Sequence, residues 1–365
     1  MKILIPVLGF GQFGGYRVLS KLADELIKLG HDVIFINLDS STKPYFPTLA
    51  KILWVDKNGK LNAHNNDNAK KTTGFSHQKL LTKAFQKLDP KSYDIIIANH
   101  SLTTIPIKIA GLTHKTLYYV QAYEPEYFHS KPGFKNKILE MLSAFSYKMN
   151  LFTVVNAEIY LNFKELKASR VLYPGVDFSK FYPSLTKEIK KGDEIIIGTI
   201  GRLEPQKGTH YVLEAYGILK KKYPGIRLHI AFGNSDDFLD YEDVYCFQPH
   251  GDQALGEFYR SLDFYFCAGF AQLGGFHYPV VEAMSCGVSV ITTRYYPANN
   301  DNAFLVEPKS VEGLVNGFEM AYNNIELRWQ KIQQAIKDVQ QFDWGAVGKM
   351  LNEYILELEE NINMQ

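Results

Sequence analysis

Residues 270–293 read FAQLGGFHYPVVEAMSCGVSVITT. This stretch predicts a glycine-rich loop, a helix that begins near Pro279 and a buried strand from 288 to 292. Proline favours the first turn of a helix, and a glycine, here Gly287, favours its end. We expect the acid Glu282 in the first helical turn, beside backbone N–H groups that have no helical partner. Such a helix start binds phosphate, and its carboxylate can accept hydrogen bonds from ribose hydroxyls. The alternative is an ordinary α/β turn with a glutamate on the surface.

Strands alternate with helices on both sides of this stretch. The apolar run at 2–8, the helical spacing at 16–29 and the apolar run at 32–39 indicate a strand–helix–strand unit, which predicts a parallel sheet. A polar, lysine-rich segment at 183–193 separates this half from a second one that opens with EIIIGTIGRL. The sequence therefore predicts an α/β protein with two doubly wound, Rossmann-like domains facing one another across a cleft. We expect an N-terminal domain at 1–178, a C-terminal domain at 179–345, and a terminal helix at 346–365 that packs back toward the N-terminal domain.

The composition argues against several classes of protein. The 365 residues carry 40 Lys and Arg against 39 Asp and Glu, a net charge of +1, so no basic field indicates a nucleic-acid partner. Three cysteines without CxxC spacing, no secretory leader and no apolar run of about 18 residues predict a cytoplasmic protein with at most peripheral membrane contact. The amphipathic segment at 133–150 could touch a membrane surface, but a helix facing the core is the prediction we prefer.

A glycine-rich loop also follows the first predicted strand. Gly9, Gly11 and Gly14 satisfy G-x-G-x-x-G, and Asp39 ends the second strand, as in NAD(P)-dependent oxidoreductases. Any loop that a phosphate or a sugar approaches closely needs glycine as well. The fingerprint alone therefore leaves an oxidoreductase and other nucleotide-binding proteins as alternatives.

Polar side chains follow predicted strands in each half. Residues 94–99 predict a buried strand that brings His100 to its carboxyl end, where open α/β sheets bind ligands. In the second half, Arg202 and Lys207 follow the first strand. Arginine offers a planar fork to phosphate oxygens and lysine a mobile point charge, so the pair is suited to neutralise a departing diphosphate. The alternatives are surface cations in a loop for this pair and a structural role for His100.

The motifs and their order resemble the retaining nucleotide-sugar glycosyltransferases of family 4, which have the GT-B fold. The resemblance covers nearly the whole chain and rests on GGYRVLSKLA at 14–23, YPGVD at 173–177, GRLEPQKG at 201–208, PVVEAMSCG at 279–287 and FDW at 342–344. It implies that Arg202, Lys207 and His100 are catalytic, with His100 reaching the donor sugar from the first domain. It also implies that the donor is bound by Gly14, Gly15, Gly201, Gly275, Phe276, His277, Tyr278, Pro279, Val280 and Glu282.

One position departs from the family pattern. The family has a second glutamate upstream of the one that matches Glu282, and this position falls on Gly274; His277 replaces a family glycine. In the family the missing acid contacts hydroxyls of the donor hexose. We expect either that Gln272 or His277 substitutes for it or that the donor is a deoxysugar. The segment VQAYEPEYF at 120–128 is similar to bacterial rhamnosyltransferases of surface polysaccharides, which favours a dTDP-rhamnose-like donor over UDP- or GDP-linked hexoses.

The resemblance implies transfer of the sugar, with retention, to a saccharide or lipid-linked acceptor in the biosynthesis of surface polysaccharides. A diphosphate oxygen takes the acceptor proton, so no protein base is required. We expect no metal and no other cofactor, because Arg202 and Lys207 take the place of a cation and because Asp236 and Asp237 form a solvated loop pair. Two alternatives stay open: the oxidoreductase, and a GT-B relative that binds a nucleotide sugar without transferring it, which Gly274 favours.

Overall fold

The computed structural model of the chain describes residues 1–11, 14–39, 41, 43–66, 75–129, 133–184, 194–238 and 241–364. The chain folds into two compact units, one formed by Met1–Gly175 together with Trp344–Gln365 and the other by Val176–Asp343. Each unit is a Rossmann-like β-sheet, parallel or nearly so, with helices between its strands. The predicted α/β class is confirmed.

The first unit is built on an eight-stranded sheet. Its strands are β1 (Lys2–Pro6), β2 (Asp32–Leu38), β3 (Lys51–Val55), β4 (Leu61–Asn62), β5 (Ile95–Ala98), β6 (Thr116–Val120), β7 (Phe152–Val155) and β8 (Arg170–Val171). They lie in the order β4-β3-β2-β1-β5-β6-β7-β8, and only the β3–β4 pair is antiparallel among these described strands. The helices before residue 150 are α1 (Gly14–Lys28), α2 (Phe75–Lys87), α3 (Ser101–Ile109), α4 (Glu124–His129) and α5 (Phe134–Ser146).

The centre of this sheet is apolar and buried. Strands β5 and β6 are buried along their whole length, as expected for parallel strands that helices cover on both faces. The strand order reverses between β1 and β5, which pair directly. The loops that follow these two strands therefore emerge side by side at the carboxyl edge of the sheet.

The second unit has a six-stranded sheet in which every described pair is parallel. Its strands are β9 (Ile196–Ile200), β10 (Arg227–Ala231), β11 (Val244–Phe247), β12 (Phe264–Cys267), β13 (Ser289–Thr292) and β14 (Phe304–Leu305), in the order β11-β10-β9-β12-β13-β14. Its helices are α6 (Thr209–Lys222), α7 (Gly251–Ser261), α8 (Tyr278–Ser285), α9 (Val311–Asn323) and α10 (Ile325–Val339). Here the order reverses between β9 and β12.

The last helix, α11 (Trp344–Asn363), belongs to the first unit. It lies against α1 so closely that a Cβ on Gly348 would come within 2.5 Å of the Glu25 side chain. Further along, Tyr354 donates a hydrogen bond of 3.0 Å to the carbonyl oxygen of Val171 in β8. A glycine at the closest approach of two helices and a side-chain hydrogen bond to a strand hold this terminal helix in place.

The sequence did not predict β3, β11 or α4. Strand β11 lies at the edge of its sheet and is only half-buried, so its apolar pattern is weak. The prediction that 133–150 faces the core is wrong for the apolar side of α5, since Phe134 is 81% and Met141 66% exposed. Within the described ranges, no helix is long and apolar enough to cross a membrane.

Candidate functional site

The carboxyl ends of β9 and β12 lie next to each other, where the strand order of the second sheet reverses. Ligands of open α/β sheets bind at such points. The loop after β9 carries Arg202 and Lys207, and the loop after β12 leads to His277 and helix α8. The structure thus brings together at one sheet edge residues that are far apart in the chain.

The loop after β9 is fixed by short contacts. Gly208 has φ +72°, and a Cβ there would lie 2.1 Å from the carbonyl oxygen of Ala268, so only glycine fits. Thr209 donates a hydrogen bond of 2.5 Å from its hydroxyl to the carbonyl oxygen of Arg202. The amide of Phe270 donates to the carbonyl oxygen of Gln206 at 3.0 Å. The two loops therefore form one packed surface.

The two cations of this surface differ in exposure. The Arg202 side chain is 58% exposed, and its guanidinium lies 3.6 Å from the Glu204 carboxylate, itself 50% exposed. An exposed ion pair of this kind is worth at most about 1 kcal/mol, so an anion can displace it. Lys207 is half-buried. It is the last residue of a short 3₁₀ turn, Pro205–Lys207, and directly precedes Gly208.

His277 is held beside these cations in its neutral form. Its ring stacks on Tyr295 with centroids 4.2 Å apart and planes tilted by 19°. The Tyr295 hydroxyl in turn donates to the carbonyl oxygen of Ala271 at 2.9 Å. Burial, and then the positive charges of Lys207 and Arg202, lower the pKa of His277 from 6.5 to about 3. The imidazole is therefore uncharged at neutral pH and cannot be a third cation.

Cys267 indicates which nitrogen of His277 carries the proton. Its sulfur lies 3.9 Å from Nδ1 of the ring, and burial raises the pKa of the Cys267 thiol. A protonated thiol is a weak donor, and the tautomer with its hydrogen on Nε2 leaves Nδ1 to accept from it. His277 then presents an N–H donor, the group that a sugar hydroxyl or a phosphate oxygen accepts from.

Glu282 does not lie where the sequence predicts. It is the fifth residue of helix α8, whose first turn contains no acid, so the first-turn placement is wrong. Its side chain is 2% exposed, and the Tyr259 hydroxyl of α7 donates to its Oε2 at 3.1 Å. Burial, and then the Glu282 charge, raise the pKa of Tyr259 well above its usual value. The carboxylate thus has a buried protein partner, while its predicted contact with ribose stays a prediction.

The start of helix α8 also offers fewer amides than predicted. The amides of Val280 and Val281 donate to the carbonyl oxygen of His277 at 3.0 and 3.2 Å, and Pro279 has no N–H. The expectation of several unpaired N–H groups in this turn is therefore wrong for Val280 and Val281. Val280 is also fully buried, so the structure gives this residue, predicted to bind the donor, a packing position.

The other predicted donor residues of this unit have identified neighbours. Gly201 packs on Gly233, where a Cβ would come within 2.7 Å of backbone. The carbonyl oxygen of Gly275 accepts from the Tyr296 amide at 3.1 Å. The ring of Phe276 packs edge-on against both Tyr278 and Phe342, with centroids 5.2 Å apart in each case. These contacts shape the loop.

Gly274, the position of the missing acid, is held by its backbone. It has φ +84°, a conformation that glycine adopts freely and other residues rarely. Its amide donates to the carbonyl oxygen of Arg294 at 2.6 Å. Gln272, the predicted substitute, also has positive φ, at 55°. The loop is therefore built around a glycine at 274.

In the first unit, His100 caps helix α3 at the carboxyl edge of β5. Its Nδ1 accepts the Leu102 amide at 3.0 Å, and Thr103 completes a capping box. The proton of the neutral imidazole therefore lies on Nε2. The side chain is 34% exposed, and its Nδ1 lies 3.2 Å from the carboxylate of Glu124. The prediction that a strand end carries His100 is confirmed.

Glu124 is a buried acid that the sequence did not single out. It is 7% exposed and accepts from both the amide of Ser101, at 2.8 Å, and the Ser101 hydroxyl. Its own amide donates to the Tyr147 hydroxyl at 3.1 Å. A buried carboxylate with this many donors is rigid, and through Ser101 it holds the start of α3, the helix that His100 caps, in one orientation.

Gly14 and Gly15 open helix α1 after the loop that follows β1. A Cβ at Gly14 would meet nothing within 4 Å, whereas one at Gly15 would lie 3.2 Å from the side chain of Gln121. The backbone at Gly14 is thus open to close approach, and its predicted contact with the donor stays a prediction.

Comparison with known proteins agrees with this geometry. Residues 184–338, which contain Arg202, Lys207 and His277, match the family Glycosyl transferases group 1. This part of the chain is similar to these glycosyltransferases. It is 25% identical over 346 residues to an uncharacterized glycosyltransferase of Haemophilus influenzae, covering 90% of this chain and 92% of that protein. It is also 25% identical over 209 residues to CapM of Staphylococcus aureus, a capsular polysaccharide biosynthesis glycosyltransferase, covering 51% and 54% of the two chains.

A solved structure shows the fold of the whole chain. HepE of Anabaena, in complex with UDP and glucose, superimposes with a TM-score of 0.73 at 18% identity, covering 98% of this chain and 100% of that one. The predicted GT-B fold is therefore confirmed.

Some residues of the site escaped the sequence-based prediction. Tyr295 and Cys267 contact the His277 ring, and Glu124 holds the start of the helix that His100 caps. The only signal for Glu124 was its place in the segment 120–128, directly after β6. Tyr295 follows β13 and Cys267 ends β12, so their contacts with His277 depend on strand pairing that local sequence does not reveal.

Proposed function

We propose that the protein transfers a sugar from a nucleoside diphosphate donor to a saccharide or lipid-linked acceptor, with retention, in the biosynthesis of surface polysaccharides. The observation that carries this proposal is the grouping of Arg202, Lys207 and a neutral His277 at the switch point of the second sheet. The grouping lies within the span that matches the glycosyltransferase family. CapM, a relative by sequence, acts in capsular polysaccharide biosynthesis by its name, which supports the biological role.

Arg202 and Lys207 are assigned to stabilise the leaving diphosphate. As the bond from sugar to phosphate breaks, negative charge grows on the diphosphate, and preorganised cations lower the energy of that state. Arg202 exchanges its exposed partner Glu204 for phosphate oxygens, and Lys207 adds a second positive charge from the packed loop. We propose that this pair takes the place of a metal ion and that the enzyme requires no cofactor.

His277 supplies a neutral hydrogen bond rather than a charge. With Nδ1 turned to Cys267, its Nε2–H is free to donate to a hydroxyl of the donor sugar or to a phosphate oxygen. His277 replaces a family glycine and Gly274 replaces the family acid. The loop therefore offers a hydrogen-bond donor and lacks the family's carboxylate acceptor for the hydroxyls of the donor sugar.

For the chemical step we propose attack by the acceptor hydroxyl on the face from which the diphosphate departs. The bond from the anomeric carbon to the acceptor oxygen forms as the bond to the diphosphate breaks, and a diphosphate oxygen takes the hydroxyl proton. No protein base is required. His100, which caps the helix whose start Glu124 holds, presents Nε2–H and is assigned to the donor sugar, and Glu282 is assigned to the ribose.

For the donor we favour a dTDP-linked deoxysugar such as dTDP-rhamnose. The support is Gly274, which removes the acid that the family uses for hexose hydroxyls, and the segment 120–128. HepE, a structural neighbour, is solved with UDP and glucose, so UDP-hexoses are the first comparison, followed by GDP-hexoses. We place the enzyme in the cytoplasm, in peripheral contact with the membrane that holds its acceptor.

The test is a donor panel. The full chain is incubated with dTDP-, UDP- and GDP-linked sugars, and release of the nucleoside diphosphate is measured alongside nicotinamide absorbance with NADH or NADPH. We expect release from one donor and no nicotinamide signal. Oxidation of NAD(P)H would establish the oxidoreductase, and tight binding of a nucleotide sugar without turnover, with acceptor present, would establish the non-transferring relative that Gly274 favours.

A further inference from the structure

Helix α5 shows its apolar residues to solvent and its serines to the protein. Phe134 is 81%, Met141 66% and Phe145 46% exposed, whereas Ser143 is fully buried and Ser146 is 1% exposed. Both serine hydroxyls donate hydrogen bonds to backbone carbonyl oxygens. Ser143 donates to that of Glu140 at 2.8 Å, and Ser146 donates to that of Ser143 at 2.7 Å. The helix thus packs on the protein through the face that carries these two serines.

The exposed apolar residues form one continuous stripe. At about 100° per residue, the exposed Phe134, Met141 and Phe145 and the half-buried Ile138 fall within roughly 60° of one another around the helix axis. We call these four residues the apolar stripe. On the neighbouring helix α3, Ile109 is 58% exposed, and Nζ of Lys108 lies 5.1 Å from the centre of the Phe145 ring, so the surface continues beyond α5.

Lysines flank the stripe. Lys135 and Lys137 lie on its two sides and are exposed, as are Lys108 and Lys148. Within the part of the chain that the structure describes, none of these four forms an ion pair, and the nearby acid Glu140 is paired with His129 at 2.9 Å. The surface is therefore apolar along its centre and cationic at its borders.

We propose that the apolar stripe and its lysines dock on an anionic phospholipid membrane. Large exposed apolar patches mark interaction surfaces, and a helix with a lysine-bordered apolar face is suited to the lipid headgroup region, where its side chains reach the acyl boundary. The lysines favour an anionic membrane over a second copy of this chain, because a copy docked by two-fold symmetry would bring lysines close to lysines. The proposal deepens the proposed function, on which its biological meaning rests, by bringing the first unit to a lipid-linked acceptor.

The test measures how much of the full chain sediments with lipid vesicles in the absence of sugar donor and acceptor. One set of vesicles is pure phosphatidylcholine, and the other contains phosphatidylglycerol as well. We expect binding to the anionic vesicles, reduced about 25-fold or more by Lys135→Glu with Lys137→Glu, since each lysine contributes about fivefold near such a surface. Phe134→Ser with Met141→Ser should reduce binding about tenfold or more, because two exposed apolar side chains no longer enter the bilayer.

Matched controls make the result specific to this surface. Met320→Ser with Trp329→Ser removes two other exposed apolar residues, and Lys221→Glu with Lys349→Glu reverses two other exposed lysines; both should bind like wild type. Equal losses in the controls, equal binding to neutral vesicles, or a dimer dissociated by the stripe variants without vesicle binding would overturn the proposal. Release of nucleoside diphosphate in solution should be unchanged in the stripe variants, so this readout separates failure of docking from failure of the proposed function.

Discussion

His277 should stay uncharged far below the pH at which histidine normally titrates. With its pKa lowered from 6.5 to about 3, about one ring in ten thousand is protonated at pH 7. The unfolded chain binds this proton near pH 6.5 and the folded chain only near pH 3. Stability from the neutral ring is thus complete above pH 6.5 and is lost as the pH falls from 6.5 toward 3. At pH 4.5, two units below the unfolded pKa, the loss is about 2.7 kcal/mol.

Two measurements check this prediction. In the first, protein labelled with ¹³C-histidine is titrated by NMR, and the His277 signal is identified by its absence from His277→Gln. It should not move between pH 8 and pH 5. In the second, urea unfolding at pH 7.5 and pH 4.5 should cost wild type about 2.7 kcal/mol more than His277→Gln. A sigmoidal titration with its midpoint near pH 6.5 would refute the reasoning, and with it the claim that His277 acts as a neutral donor.

Three further predictions concern other parts of the site. Glu124→Gln should lower kcat roughly 10- to 100-fold with little change in KM, since a buried charge-assisted hydrogen bond is worth about 1.5–3 kcal/mol; the exposed Glu126→Gln is the control, and equal kinetics of the two variants would contradict the positioning of His100. Gly208→Ala should lower the unfolding free energy by more than about 2 kcal/mol, because it adds a backbone clash to a strained φ. Gly217→Ala, in an open position of α6, should instead be neutral or stabilising by urea denaturation. Excess EDTA should leave turnover unchanged, and strict dependence on added Mg²⁺ or Mn²⁺ would instead assign diphosphate neutralisation to a metal.

The sequence predicted features that are encoded locally. Arg202 and Lys207 follow an apolar strand, and His100 follows another, so the general rule for α/β sheets places them at carboxyl edges. Helix α8 was predicted to begin near Pro279 and end near Gly287, and it runs from Tyr278 to Ser285. Proline and glycine fix such boundaries through their own backbone preferences.

What the sequence did not predict depends on contacts between distant segments. Glu282 is the fifth residue of α8, just past the first turn in which it was expected, and its carboxylate accepts a hydrogen bond from Tyr259 of another helix. The neutral state of His277 depends on burial, to which the stacked Tyr295 from the loop after β13 belongs, and on the charges of Lys207 and Arg202. The spacing of apolar residues shows that α5 has an apolar and a polar face, and the apolar face was assigned to the core. Which face is buried depends on the neighbouring helices, and local sequence does not reveal them. Here Ser143 and Ser146 are on the buried side.

The most direct test of the account is the turnover of Arg202→Ala and Lys207→Ala with the donor that the panel identifies. Each variant should lose roughly 100- to 1,000-fold in kcat/KM, about 2.7–4 kcal/mol of transition-state stabilisation, while keeping its fold. Arg227→Ala, at the opposite end of β10, and Lys221→Ala, at the end of α6, should keep wild-type turnover. Near-wild-type kcat/KM in both Arg202→Ala and Lys207→Ala would contradict the assignment of the diphosphate site to the loop after β9.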